Sequence, residues 1–187
     1  MTPIDCTHIL QKYFEEEPLA VVLTHSSRVA DLATGVARRL KVDAAETAFI
    51  GEAALLHDIG TCRVHAPGIG LYGEHPYLLH GVLGRQILEQ EGLNRHALVC
   101  ERHIGVGLTA EEIIARSLPL PHRDMLPLSL AEQIVCFADL FYSKTPGKLE
   151  QMATPEQVRR KLAVFGDNKA HVFDSWLHRF GSPLDFT

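Results

Sequence analysis

Apolar residues in this chain recur with the period of an α-helix almost from end to end, and no segment alternates as a strand would. After Pro18 they fall at Val22, Val29, Leu32, Val36 and Leu40, the spacing of one buried helix face. A second helix is expected after Asp43, an N-cap with Glu46 three residues on, running through Leu55 and Leu56 to Gly60. Pro76 suits the first turn of a third, which continues through Leu83, Ile87 and Leu88 to Gly92. A shorter helix covers residues 94–103, Thr109 and Glu112 read as a capping box, and residues 129–144 read as another long helix. Thr154-Pro155-Glu156-Gln157 opens a further helix, and Gly166-Asp167 separates it from a last one bearing Phe173, Trp176, Leu177 and Phe180. That last helix can dock on the bundle or on another subunit. The stretch 61–74, with Pro67 and three glycines, reads as a long irregular loop of the kind that often carries function. The expected fold class is all-α, a helical bundle forming a single domain over 1–187. Its core spans about 18–145, with accessory helices at both ends.

Composition narrows the function classes. The 187 residues carry a formal net charge of -5, which argues against non-specific nucleic-acid binding, since that needs a basic surface. A phosphorylated small molecule stays possible, because bound metal ions can supply positive field locally. Cys6, Cys62, Cys100 and Cys136 form no CxxC pair, and they read as buried, unpaired small side chains. No signal peptide and no membrane-length apolar run is seen, so a cytoplasmic, reducing setting is expected.

The 11 histidines are the outlier. His25 lies three residues after Val22 and four before Val29, inside the buried stripe. His57-Asp58 closes the apolar run ending at Leu56. His80 shares a face with Leu83, Gly84 and Ile87; His103 follows Val99 by four; Asp139 sits amid an apolar helix between Val135 and Tyr142. Any one of these can be bland: a lone histidine on an apolar face is usually a hydrogen-bonded core residue, and a buried aspartate can cap a helix or pair with an arginine. Six such residues from five helices weigh differently. An uncompensated buried carboxylate costs several kcal/mol, so it pairs or coordinates a metal. Four imidazoles with two carboxylates suit Fe, Mn, Co or Ni, and zinc less obviously.

The string Leu55-Leu56-His57-Asp58-Ile59-Gly60, with upstream His25-Ser26-Ser27-Arg28-Val29-Ala30 and downstream Ala138-Asp139, resembles the HD superfamily of metal-dependent phosphohydrolases, near its HDIG subgroup. The resemblance spans roughly 23–144 and implies an HD-domain bundle in which His25, His57, Asp58 and Asp139 hold one metal ion. His80 and His103 match the added histidines of the binuclear branch, where the aspartate of the HD pair bridges both ions. Thr61 stands where several binuclear phosphodiesterases of the superfamily carry a phosphate-contacting lysine, and the GYP element of cyclic-dinucleotide cleavage is absent. Arg28, Arg63 and Lys144 are the substitute cations for substrate binding.

The chemistry implied is hydrolysis of a phosphate ester, a nucleotide or another small phosphorylated molecule. A hydroxide bridging two divalent ions, Fe or Mn first and Co, Ni or Zn next, would serve as nucleophile. Asp58 is the expected catalytic centre of this set. The 61–74 loop with Arg63, His65 and His75, and the stretch around His122-Arg123, would line the mouth. His8, His96, His171 and His178 receive no role. The same six ligands also serve mixed-valent di-iron oxygenases of this fold, and a non-catalytic metal- or nucleotide-binding domain is the third alternative. Membrane partners are not expected, and oligomeric state is unreadable.

Overall fold

The computed structural model describes residues 4–183. Among them it has nine α-helices: α1 (Cys6–Gln11), α2 (Glu16–Arg39), α3 (Ala44–Leu56), α4 (His80–Gln90), α5 (Asn94–Arg102), α6 (Ala110–Ala115), α7 (Leu130–Asp139), α8 (Pro155–Ala163) and α9 (Asp167–Phe180). Four expected helix starts hold for the expected reasons. The Asp43 and Ser129 side chains accept from the backbone N–H of Glu46 and Glu132, and complete capping boxes open α6 at Thr109 and α8 at Thr154. The all-α expectation is correct.

Two expected ends and one expected start do not hold. α3 stops at Leu56 with His57 as its C-cap, and residues Ile59–Arg63 form a separate 3-10 turn. Pro76 precedes a 3-10 turn, Tyr77–Leu79, before α4 begins at His80. α7 ends at Asp139 instead of reaching Lys144. The chain turns at Leu140 and folds back, tied by a 2.8 Å bond from the Ala153 N–H to the Phe141 carbonyl. The 61–74 stretch also has more order than expected. It forms a small antiparallel hairpin of β1 (His65–Ala66) and β2 (Leu71–Tyr72), with His65 opposite Tyr72.

The apolar interior falls into two main clusters. One joins Val29, Leu32 and Val36 of α2 to Phe49 and Ile50 of α3, to α7 and to α9. There Phe173 stacks on Phe137 at 5.9 Å and Trp176 and Phe180 are buried, so α9 docks on this bundle. The other joins α1 to Val22, Leu56, Ile59, Ile87 and Leu88. Val22 belongs to the second cluster and Val29 to the first, so His25, between them on one stripe, sits at the seam. Backbone meets backbone at the same seam. A Cβ on Gly60 would collide with the His80 carbonyl and the Gly84 amide, so α4 rests directly on the turn that follows Asp58.

Candidate metal centre

Three histidines are aimed in the same way. His57, His80 and His103 each direct Nδ1 at the carbonyl three residues earlier: Ala54 at 2.6 Å, Tyr77 at 2.7 Å and Cys100 at 2.7 Å. A carbonyl only accepts, so Nδ1 carries the proton and donates, and a neutral ring presents Nε2 as a bare lone pair. His57 and His103 are helix C-caps, and His80 opens α4 directly after a 3-10 turn. These local breaks bring the preceding carbonyl within reach of the ring, and the Tyr77 carbonyl accepts the His80 backbone N–H as well.

The rings and two carboxylates converge in two groups that share Asp58. His25, His57, Asp58 and Asp139 form one; Asp58, His80 and His103 form the other. Within the first, His25 Nε2 lies 3.2 Å from Asp58 Oδ2 and 3.0 Å from Asp139 Oδ1, and His57 Nε2 lies 3.0 Å from Asp58 Oδ2. The second gathers on the other oxygen, with Asp58 Oδ1 at 3.6 Å from His80 Nε2 and 3.7 Å from His103 Nε2. The His57 and His103 ring centroids are 4.8 Å apart, so the two groups adjoin.

Cations fit these donors. His80 Nε2 faces His103 Nε2 at 2.9 Å, and with both Nδ1 atoms already donating, two lone pairs point at each other. Both Asp58 oxygens, His57 Nε2 and His25 Nε2 are buried without hydrogen-bond geometry to any partner. Buried polar atoms in that condition are costly unless a charge between them is shared.

Ionisation agrees with a cation site. Burial pushes the Asp58 and Asp139 carboxyls up. The facing histidines and Lys144 outweigh it and hold both well below the usual carboxylate range. Burial, with His57 and His80 beside it, lowers His103 to about 3, and burial lowers His80 too, so both rings are neutral at pH 7. His57 goes the other way: burial is outweighed by Asp58 and Asp139, and it rises to about 10, so metal entry would release its proton.

Of the three substitute cations, the structure brings in one. Lys144, freed from α7, sets its ammonium 2.5 Å from Asp58 Oδ2. Arg28 is half exposed and pairs with Glu150 at 3.3 Å, one turn from His25 but outside the cluster. Arg63 lies beside Tyr13, and no contact joins it to the six residues. His65, His75 and His122 are exposed, and Arg123 is tied to the buried Glu101. Tyr77 is the residue that sequence reasoning missed. It is 39% exposed, and its ring sits 4.9 Å from that of His80. Desolvation on its inner side, with the Asp58 and Asp139 charges, outweighs Lys144 and pushes its phenol up to about 12, so it keeps its proton. Tyr77 and Lys144, with Ile69, Ser143 and Thr145, line a cavity of about 400 Å³ beside the centre. No periodicity marked Tyr77, which lies on a single 3-10 turn.

The sequence model of one family, described as HD domain, matches residues 22–143, well over half of the chain. The chain belongs to the HD domain family. The curated relatives of this HD domain are longer proteins. It is 45% identical over 86 residues to an uncharacterised protein of Methanocaldococcus jannaschii, covering 46% of this chain and 43% of that protein. It is 32% identical over 149 residues to a tRNA (cytidine(56)-2'-O)-methyltransferase of Thermoplasma volcanium, covering 79% of this chain and 38% of that protein. The chain thus spans less than half the length of the curated relatives it matches. In fold it is similar to the HD domain of the L. monocytogenes phosphodiesterase PgpH in complex with cyclic-di-AMP. The TM-score is 0.57 at 15% identity, over 96% of this chain and 89% of that one.

Proposed function

We propose that this HD domain is a metal-dependent phosphohydrolase acting on a small phosphate ester of nucleotide type, with two cations sharing Asp58. The observation that carries the reading is the pair of Nε2 atoms of His80 and His103, 2.9 Å apart with both Nδ1 protons committed elsewhere. Membership of the HD family and the shared fold with a phosphodiesterase support hydrolysis of a phosphoester. The cyclic-di-AMP bound to that neighbour supports a nucleotide as ligand.

His25, His57, Asp58 and Asp139 would hold one ion and His80, His103 and Asp58 the other. Fe or Mn suits the mixed imidazole and carboxylate set, and Co, Ni and Zn are the next candidates. When bound, such ions supply Lewis acidity and bring the pKa of water towards neutrality. The chain's own residues supply the rest. The three backbone carbonyls keep the imidazoles oriented, and the ionised carboxylates fix the charge of the site. The Lys144 ammonium, at the open edge, is placed to neutralise a phosphoryl oxygen, and the protonated Tyr77 phenol is placed to donate to another. The described helices include none long and apolar enough to cross a membrane.

The test is a phosphoester panel with protein loaded with Mn, Fe or Co. Release of phosphate or nucleoside by the wild type, abolished in Asp58→Asn, is expected. Inert esters together with oxygen uptake by the iron-loaded protein would replace the hydrolase reading with an oxygenase.

A further inference from the structure

A second cavity, of about 510 Å³, adjoins the mouth of the centre, and Ser143 lines both. Its wall carries Lys148, from the segment that follows Lys144, and Arg160 and Lys161, from the last turn of α8. No carboxylate residue lines it. In a chain with 23 acidic against 18 basic residues, three cations around one hollow without an acid is a departure from the average surface.

The bland explanation is a solvated helix end, since basic residues in a last turn offset the helix dipole. It does not explain how the neighbours are used. Arg159, adjacent on the same helix, takes Asp174 at 3.1 Å, and Arg28 takes Glu150 at 3.3 Å. Lys148, Arg160 and Lys161 make no ion pair among the described residues. Glu156, one turn back on the helix, lies within electrostatic reach of Arg160, whose charge helps to lower its carboxyl, but no salt bridge joins the two. Gln157 spends its amide oxygen on the Thr154 N–H, which leaves its amide nitrogen as a further donor towards the cavity.

Resting on the phosphohydrolase reading above, we propose that this cavity is a second phosphate subsite. The substrate then carries at least two phosphates: one at Lys144 and Tyr77, the other between Lys148, Arg160 and Lys161. Such a molecule is a nucleoside polyphosphate or a dinucleotide, as against a monophosphate. The shared residue Ser143 means that a short linker suffices between the two positions.

AMP and ATP serve as probes, with calorimetric binding to the Mn-loaded full chain. Wild-type protein is expected to bind ATP at least about tenfold more tightly than AMP, the scale of one charge-assisted hydrogen bond. In R160Q/K161Q the preference should fall to about twofold with AMP affinity unchanged. Chemical acylation followed by mass spectrometry gives a readout independent of turnover. ATP, but not AMP, should protect Lys148 and Lys161 while leaving Lys41 reactive. Equal ATP preference in wild type and variant, or no protection of those lysines, overturns the subsite. If the preference and protection appear but neither nucleotide is cleaved, the subsite stands and the hydrolase reading falls.

Discussion

At the scale of single residues, the centre depends on where protons sit. Three imidazoles spend Nδ1 on a carbonyl three residues back, so their remaining nitrogens are committed to whatever lies between them. Lys144 contributes the positive charge nearest Asp58. Lys144→Gln is expected to lower kcat about 100-fold, the scale seen when one charge-stabilising donor is removed, with metal content unchanged. Steady-state kinetics beside metal analysis checks this; loss of metal in step with activity would place Lys144 in holding the ions. The polar set was legible from sequence because each member stood on an apolar stripe, where solvation cannot explain it. His25 between Val22 and Val29 is the clearest case. Lys144 was legible only as a candidate. Its position depends on α7 ending at Asp139, and the apolar run through Phe141 and Tyr142 continues the helical pattern past the point where the backbone turns.

At the scale of elements, the alignment of the two ligand groups is set by contacts without side chains. Gly60 packs against the His80 carbonyl and the backbone at Gly84. Gly60→Ala is therefore expected to destabilise the fold by about 2–3 kcal/mol, as overpacking does, measured by urea denaturation. A neutral effect would mean that α4 can move away from the turn. The joint between α6 and α9 gives a pH prediction. The buried Lys169 ammonium binds the Gly107 carbonyl at 2.7 Å and the Glu112 carboxylate at 2.6 Å. Burial raises the Glu112 carboxyl, but Lys169 and the Thr109 backbone outweigh it and hold it below its ordinary 4.5. The stabilisation is thus present above pH 4.5 and is lost as pH falls through the lower folded value. The melting-temperature gap between wild type and Lys169→Met should be full at pH 7 and shrink in acid; a gap that is flat with pH would exclude the ion pair as its source. Helix starts were readable here because caps are local chemistry, as Thr109 with Glu112 shows. Ends were less so: the stops at Leu56 and Asp139 serve tertiary demands of the centre, which carry no local signal.

At the scale of the whole molecule, polar residues occupy the boundary between two apolar clusters, with α2 crossing it and His25 at the crossing. A cation held there would link the two halves of the interior, so its binding would stabilise the fold. The all-helical class was legible from periodicity alone. The convergence of five distant stretches was implied by the polar residues on buried stripes and by the resemblance to HD proteins, but its geometry was not legible, since it depends on how the helices pack. Equilibrium dialysis of the purified chain against Mn2+ tests the shared-carboxylate centre most directly. Two ions per wild-type chain are predicted, and one in a His80→Ala, His103→Ala double variant. A single ion in the wild type, or two retained by the double variant, would contradict it.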